Sequence, residues 1–471
     1  MNKIVFFPLL LLLTACQSRQ EDQSHTNFVI VLADDMGWSD PGFMGNEFYE
    51  TPHLDRLAQQ GMIFNRFYPA AANCAPTRAS LLTGMYGPRH GVYLPQGYAR
   101  GGATEKMRFK VPTHGEDSTF LTFPVSINHV EPDVVSLAEM LQPAGYVSAR
   151  LGKWHIGDDN QGFDLVSAAG VPGEITNKGG DEKRYYNDTT VARKLTDLAI
   201  NFLEENQEQP FFLYLSHWEV HTPLAAAEKR VEYYRQKLEN ESPDFAYDPV
   251  YAAEVEVIDR SVGRVMQKLE DLDLIENTVF IFTSDNGGVS DITNNAPLRA
   301  GKGTYYEGGI RTPMVIRWPQ VVQPGTLTDV PVNGIDFLPT FAALAGVEPP
   351  IGQPVDGVSL VPLLQGEVLP DRELYFHFPL YLGGGGKDKV MATYQGDEDY
   401  WRAVPSTTII DGDWKLIYYY EYDNHELYNL ADDIGEENNL AGKMPEKAQE
   451  MMKKLKQWTV STEAPVPEIF N

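Results

Sequence analysis

The chain has 471 residues, 42% of them hydrophobic and 22% charged. That is a globular composition with room for more than one domain, and it excludes a disordered, collagenous or coiled-coil chain. Lys and Arg number 38 against 66 Asp and Glu, a formal charge of −28, so nucleic acid is not an expected partner and an anionic ligand would need a local basic pocket.

Residues 1–15 open with Lys3, continue through the apolar stretch Ile4 to Leu13 and end on the small residues Thr14 and Ala15. The stretch is too short to span a bilayer and reads as a signal peptide. Its end, Leu13-Thr14-Ala15-Cys16, resembles the bacterial lipobox. The resemblance implies a lipid on Cys16, a tether over residues 16–26 and attachment to a membrane by that lipid alone. With Gln17 after the cysteine, it implies sorting to the outer membrane. Cys74 is the only other cysteine, so a lipidated Cys16 leaves no intramolecular disulfide. A lone thiol in an exported chain draws attention to Cys74.

Beyond the tether, Asn27 to Ala33 is a continuous apolar, β-branched run that predicts a buried strand ending in Asp34-Asp35. A short helical pattern starts at Ser136, and Gly145 to Leu151 is strand-like, leading into Gly152-Lys153-Trp154-His155. Helical periodicity over Asp188 to Glu205 precedes the apolar strand Phe211 to Ser216, which runs into His217 and His221. Tyr247 to Leu272 predicts a long amphipathic helix, Thr278 to Ser284 a strand ending in Asp285-Asn286, and Met314 to Trp318 a further strand. The alternation predicts an α/β fold with a large, mostly parallel sheet flanked by helices over residues 27–365. Its polar clusters follow the strands, where open α/β sheets bind ligands. Over residues 366–471 the runs Leu374 to Phe378, Thr407 to Ile410 and Trp414 to Tyr420 predict an antiparallel sheet. A terminal helix over Met444 to Trp458 completes a smaller α+β domain. Gly97 to Val130 reads as a long, weakly patterned insertion.

The segment Asn73-Cys74-Ala75-Pro76-Thr77-Arg78-Ala79-Ser80-Leu81-Leu82-Thr83-Gly84 resembles the signature of the formylglycine-dependent sulfatases, in the alkaline-phosphatase-like superfamily. So do Leu32 to Asp35, Gly152 to His155, Asp285 to Gly288 and Gly301 to Arg311, in the same order, and the tail from Glu426 to Ala441. The resemblance implies that Cys74 is oxidised by a maturation enzyme to formylglycine, whose hydrate attacks sulfur and is regenerated when sulfate leaves. It implies a metal site of Asp34, Asp35, Asp285, Asn286 and the modified Cys74. These are hard oxygen donors, suited to Ca²⁺ or Mg²⁺, and the resemblance implies Ca²⁺ in preference. Arg78, one helical turn after Cys74, is expected to stabilise the nucleophile. Lys153 and Lys302 are expected to bind sulfate, His155 to act as base and His221 as the acid for the leaving group.

His217 is expected in a supporting or structural role, and is also a candidate for contact with substrate. Basic and aromatic residues of the insertion (Arg100, Lys106, Arg108, Lys110, His114, His129) and of the second domain (His377, Trp401, Arg402) are candidates for reading the molecule that carries the sulfate. The exported context favours a sulfated polysaccharide or oligosaccharide. A phosphate or phosphonate monoester hydrolase of the same superfamily, and a non-catalytic sulfated-glycan-binding lipoprotein, are the alternatives.

Overall fold

The computed structural model describes residues 26–95, 107–110, 120–123, 126–173, 185, 187–241, 247–380, 382–383, 401–420 and 423–469. The expected signal peptide, Cys16 and the tether through residue 25 lie outside the described residues, as do Arg100, Lys106 and His114 and the side chains of Arg108, Lys110 and Trp401.

The main sheet has eight strands: β1 (Asn27–Ala33), β2 (Met62–Phe64), β3 (Val147–Gly152), β4 (Leu165–Ser167), β5 (Phe211–Ser216), β6 (Thr278–Ser284), β7 (Met314–Arg317) and β8 (Thr326–Thr328). They lie in the order β8-β2-β7-β6-β1-β5-β3-β4. β1 pairs in parallel with both β5 and β6, β3 with β5 and β4, and β8 with β2, while β7 runs antiparallel to its two neighbours.

The apolar run of β1 is continuous because both faces of the sheet are covered. Val29, Val31 and Ala33 pack with the helix α3 (Val191–Glu205) and the helix α5 (Pro249–Asp271). Phe28, Ile30 and Leu32 pack on the other face, where Phe341 of α6 (Phe337–Ala345) stacks on Phe28 at 4.2 Å. Two shorter helices precede these, α1 (Pro52–Gln60) and α2 (Cys74–Thr83), and α4 (Glu228–Glu241) lies between α3 and α5. The long helix starts where Asp248 accepts the amides of Val250 and Tyr251, with Pro249 in its first turn.

A second, four-stranded antiparallel sheet follows: β9 (Glu373–Phe378), β10 (Ser406–Asp411), β11 (Trp414–Tyr419) and β12 (Asn424–Asn429), paired in that order. Alternation along it gives the sheet two buried faces. Leu416, Ile409 and Tyr375 meet the terminal helix α7 (Pro445–Ser461), where Trp458 stacks on Tyr375 at 4.7 Å. Ile417, Tyr419, Ile410 and Phe376 face the other way, onto Tyr68, Tyr305 and Tyr306.

The weakly patterned insertion contains a strand pair, Met107–Lys110 with Phe120–Phe123, and Glu468–Ile469 joins the latter as a third strand. The helix α4 also went unread, because its mean hydropathy is strongly polar and it buries only Val231 and Tyr234 fully.

Candidate functional site

Parallel strand order brings the polar clusters together. Asp34-Asp35 follow β1, Lys153 to His155 follow β3, His217 to His221 follow β5 and Asp285-Asn286 follow β6. The strands are laced beyond their ends. The Asp34 amide donates to the Glu219 carbonyl and the Val220 amide to the Asp34 carbonyl, both at 2.9 Å. The Asp285 amide donates to the Ala33 carbonyl at 3.2 Å. Asp35 (φ 67°) and His155 (φ 68°) both stand in the left-handed region, an uncommon backbone state for residues other than glycine.

Cys74 is buried and forms the first residue of α2. Ligand atoms of Asp34, Asp35, Cys74 and His221 all lie within 4.8 Å of one another. Arg78, on the same helix, is fully buried and clasps Asp285 Oδ2 through Nε at 3.0 Å and Nη2 at 2.6 Å. Its Nη1 donates to the Lys153 carbonyl at 2.9 Å and to Ser216 Oγ. The Lys153 ammonium pairs with Asp34 Oδ2. That of Lys302 pairs with Asp35 Oδ2 at 2.6 Å, and Asn286 Nδ2 donates to Asp35 Oδ1 at 2.8 Å. The structure thus gathers Cys74, Arg78, Lys153, His221, Lys302 and all four expected oxygen donors. His155 lies two residues beyond Lys153 on the same loop, half-buried.

Two buried oxygens in the cluster, Asp34 Oδ1 and Asn286 Oδ1, accept no hydrogen bond from the described residues. Buried acceptors are rarely left so. With Asp35 and Asp285 they form a hard-oxygen donor set that fits a divalent cation. Three carboxylates face three side-chain cations here, so their formal charges cancel. A divalent cation would leave the pocket positive, as an anionic substrate requires.

Burial pushes the Asp34 carboxyl up to about 8 against the pull of Lys153, with Asp285 and Asp35 adding to the rise. A bound cation would reverse that. Burial also acts to raise Asp35, but Lys302, His221 and Lys153 hold it below the usual carboxylate range. Burial pushes the Cys74 thiol up to about 12 despite Lys153 and Lys302, so an unmodified thiol here is a poor nucleophile. Burial, then Lys302, lowers His221 well below the ordinary histidine value, with Asp35 opposing. His221 Nδ1 lies 2.5 Å from the Thr222 carbonyl, which can only accept, so Nδ1 carries the proton. Nε2, 3.6 Å from Asp35 Oδ2, is therefore the nitrogen that titrates within the site.

The candidates for reading the substrate divide. Arg402 is drawn to the site, packing directly on Gly303 beside Lys302. His129 lies against Gly157, two residues past His155, and faces Glu131 at 3.5 Å. Two of the candidate substrate contacts lie elsewhere, His217 in the structural role that was its other reading. His217 is fully buried with Nε2 2.9 Å from Ser261 Oγ, which ties its ring to α5 rather than to a ligand. His377 is also buried and uses both ring nitrogens, 2.8 Å from Thr407 Oγ1 and 3.0 Å from the Pro465 carbonyl. The apolar strand before His217 and the one that carries His377 gave no sign of either arrangement. The sequence reading also missed Ser216, whose partnership with Arg78 has no motif to mark it.

A mixed sheet with this charged cluster at its carboxyl edge defines a hydrolase of the alkaline-phosphatase-like class. The Sulfatase family profile matches residues 26–347, and the profile described as N-sulphoglucosamine sulphohydrolase, C-terminal, matches residues 301–463. A sulfatase from Formosa agariphila is 31% identical over 98% of this chain and 94% of its own. Human N-acetylgalactosamine-6-sulfatase is 33% identical over 74% of this chain and 68% of its own. Among solved structures, Ps i-CgsB in complex with k-i-k-neocarrahexaose superposes with a TM-score of 0.71 and 27% identity, covering 92% of this chain and 93% of that one. The chain belongs to the sulfatase family and is a sulfuric ester hydrolase.

Proposed function

We propose that this sulfatase hydrolyses sulfate monoesters on a sulfated polysaccharide or oligosaccharide, using a formylglycine made from Cys74 and a divalent cation, calcium in preference to magnesium. The observation that carries the reading is the convergence of Cys74 with Asp34, Asp35 and His221 within 4.8 Å, on a helix whose Arg78 clasps Asp285. Cys74 Sγ stands in for the oxygens of the hydrated aldehyde, and the raised thiol pKa favours that modified nucleophile over a thiolate.

In this reading Lys153 and Lys302 leave their carboxylate partners to hold sulfate oxygens. Asp34, Asp35, Asp285 and Asn286 hold the cation, which supplies Lewis-acid stabilisation of negative charge. One hydroxyl of the hydrate, ionised by loss of its proton to solvent, would attack sulfur as the bond from sulfur to the leaving oxygen breaks, and His221 Nε2 would give that oxygen its proton. The bound sulfate's negative charge raises the His221 pKa toward the acid form. His155 then takes the proton of the remaining hydroxyl as the aldehyde reforms and sulfate departs.

The glycan assignment rests on the carbohydrate substrates named for the relatives and on Arg402 at the rim of the Lys302 loop. Residues 27–365 supply the chemistry, and 366–471 contribute to substrate recognition. The reading extends to an exported, lipid-anchored protein of the outer membrane, supported by the apolar residues 4–13 and Cys16. The test is release of sulfate against phosphate from matched esters by matured protein, followed by a screen of sulfated oligosaccharides. Preferential phosphate release, or binding without turnover, would reject the reading.

A further inference from the structure

A buried charged network links the second sheet to the site, and the chemistry above makes no use of it. Lys415, on β11, is fully buried, with Nζ 3.0 Å from Glu307 Oε1 and 2.8 Å from Glu436 Oε1. Glu436 Oε2 accepts the Glu307 backbone amide at 2.6 Å. The second Glu307 oxygen accepts from Tyr68 at 2.9 Å and faces Arg311 at 3.4 Å. Two carboxylates and two cations thus balance out of contact with water, where a charge stripped of its partner is costly. Glu436 is itself held: its carbonyl accepts from Arg299 at 2.7 Å, and its φ is 51°.

Glu307 opens the short helix Glu307–Ile310, five residues after Lys302. The next two residues are the wall behind the metal-ligand turn. The Gly287 amide donates to the Gly309 carbonyl at 3.0 Å, and a Cβ on Gly287 would stand 1.8 Å from the Gly308 oxygen. The Lys302 amide in turn donates to the Gly288 carbonyl at 2.9 Å. The Gly308 amide donates to the Arg299 carbonyl at 2.9 Å, so one short element backs both the segment leading to Lys302 and the Asp285-Asn286 turn, and the far side of that element is gripped by β11 and by Glu436.

We propose that Glu436 and Lys415 are positioning residues. By fixing the Glu307 helix they hold the Lys302 ammonium in register on the sulfate and Asn286 in register at the cation site. This rests on the sulfatase reading and gives the second domain a part in binding the sulfate itself, apart from recognition of the molecule that carries it.

The test compares variants of the full chain, matured at Cys74, by kinetics on an aryl sulfate and by hydrogen exchange of residues 299–311. Glu436→Ala is expected to raise KM roughly tenfold, with a smaller change in kcat, because a small misplacement of a binding group is costly. It is also expected to speed exchange in that segment. Glu436→Gln keeps an oxygen for the Glu307 amide but loses the charge facing Lys415, so it should give both shifts at smaller size than Glu436→Ala. Trp458→Ala removes the stack on the opposite face of the same sheet. It should lower Tm and leave both readouts unchanged. If Glu436→Ala does not fold, Glu436→Asp, one methylene short of the Glu307 amide, should give the same two shifts at smaller size. Unchanged KM and exchange in the folded Glu436 variants, or equal shifts in Trp458→Ala, would overturn the proposal. A wild type that releases no sulfate would defeat the sulfatase reading, and the exchange comparison would still decide the positioning role.

Discussion

His221 and His377 show how burial gives two histidines different work. Both lie below the ordinary histidine value. His221 keeps one nitrogen on Thr222 and turns the other to the site, so its loss should be felt by substrates whose leaving oxygen needs a proton. His221→Ala is expected to slow alkyl or sugar sulfates by ~10²-fold or more and nitrophenyl sulfate much less, a contrast that steady-state rates on the two substrate types will check. His377 serves the fold. Burial lowers it to about 4, with the Pro465 carbonyl opposing. Between about pH 6.5 and 4 the unfolded chain takes up a proton that the folded chain refuses, so stability is lost as pH falls through that window. From pH 7 to pH 5 the wild type should lose about 2 kcal/mol more than His377→Gln, read from urea unfolding at both pH values. At this scale motif residues were legible because their spacing carries meaning: Cys74 and Arg78 share one helical turn, Asp34 and Asp35 end a strand. His377 misled because a histidine on an apolar strand looks alike in sequence whether it meets a ligand or a threonine.

Strands and helices were legible wherever burial was one-sided or complete. Asn27–Ala33 and Phe211–Ser216 have the expected bounds, and Tyr247 to Leu272 contracts only to Pro249–Asp271. The contraction has a cause: Asp248 caps the helix from outside, accepting the Val250 amide at 2.7 Å. Asp248→Ala should therefore cost about 1 kcal/mol, measured by chemical denaturation, with no effect on KM. Very short strands were not legible. Met62–Phe64 and Thr326–Thr328 are three residues long, too short to show a period, and their pairing partners are far away in the chain. The hairpin at Met107–Lys110 and Phe120–Phe123 was hidden for the same reason, completed by Glu468–Ile469 from the other end of the molecule.

For the molecule as a whole, the alternation of strands and helices made the α/β class readable, and the order of polar clusters after strands made convergence foreseeable. What sequence could not supply is which side chains answer one another across it, such as Arg78 with Asp285, 207 positions apart, or Lys415 with Glu307. These pairings tie the site to the fold's stability. Asp34, Asp35 and Asp285 crowd one buried pocket, so removing the cation should destabilise the whole chain as well as stop turnover. Chelation is expected to lower Tm and activity together, and added calcium to restore both, since a ligand at 1,000 times its Kd contributes about 4 kcal/mol. A Tm indifferent to chelator after long dialysis would speak against the metal site. The central claim is that Cys74 acts only after conversion to an aldehyde, and the mass of the Cys74 peptide from active protein tests it most directly. The account predicts the formylglycine mass, with activity proportional to the converted fraction. A thiol mass in protein that hydrolyses sulfate esters at full rate would contradict it.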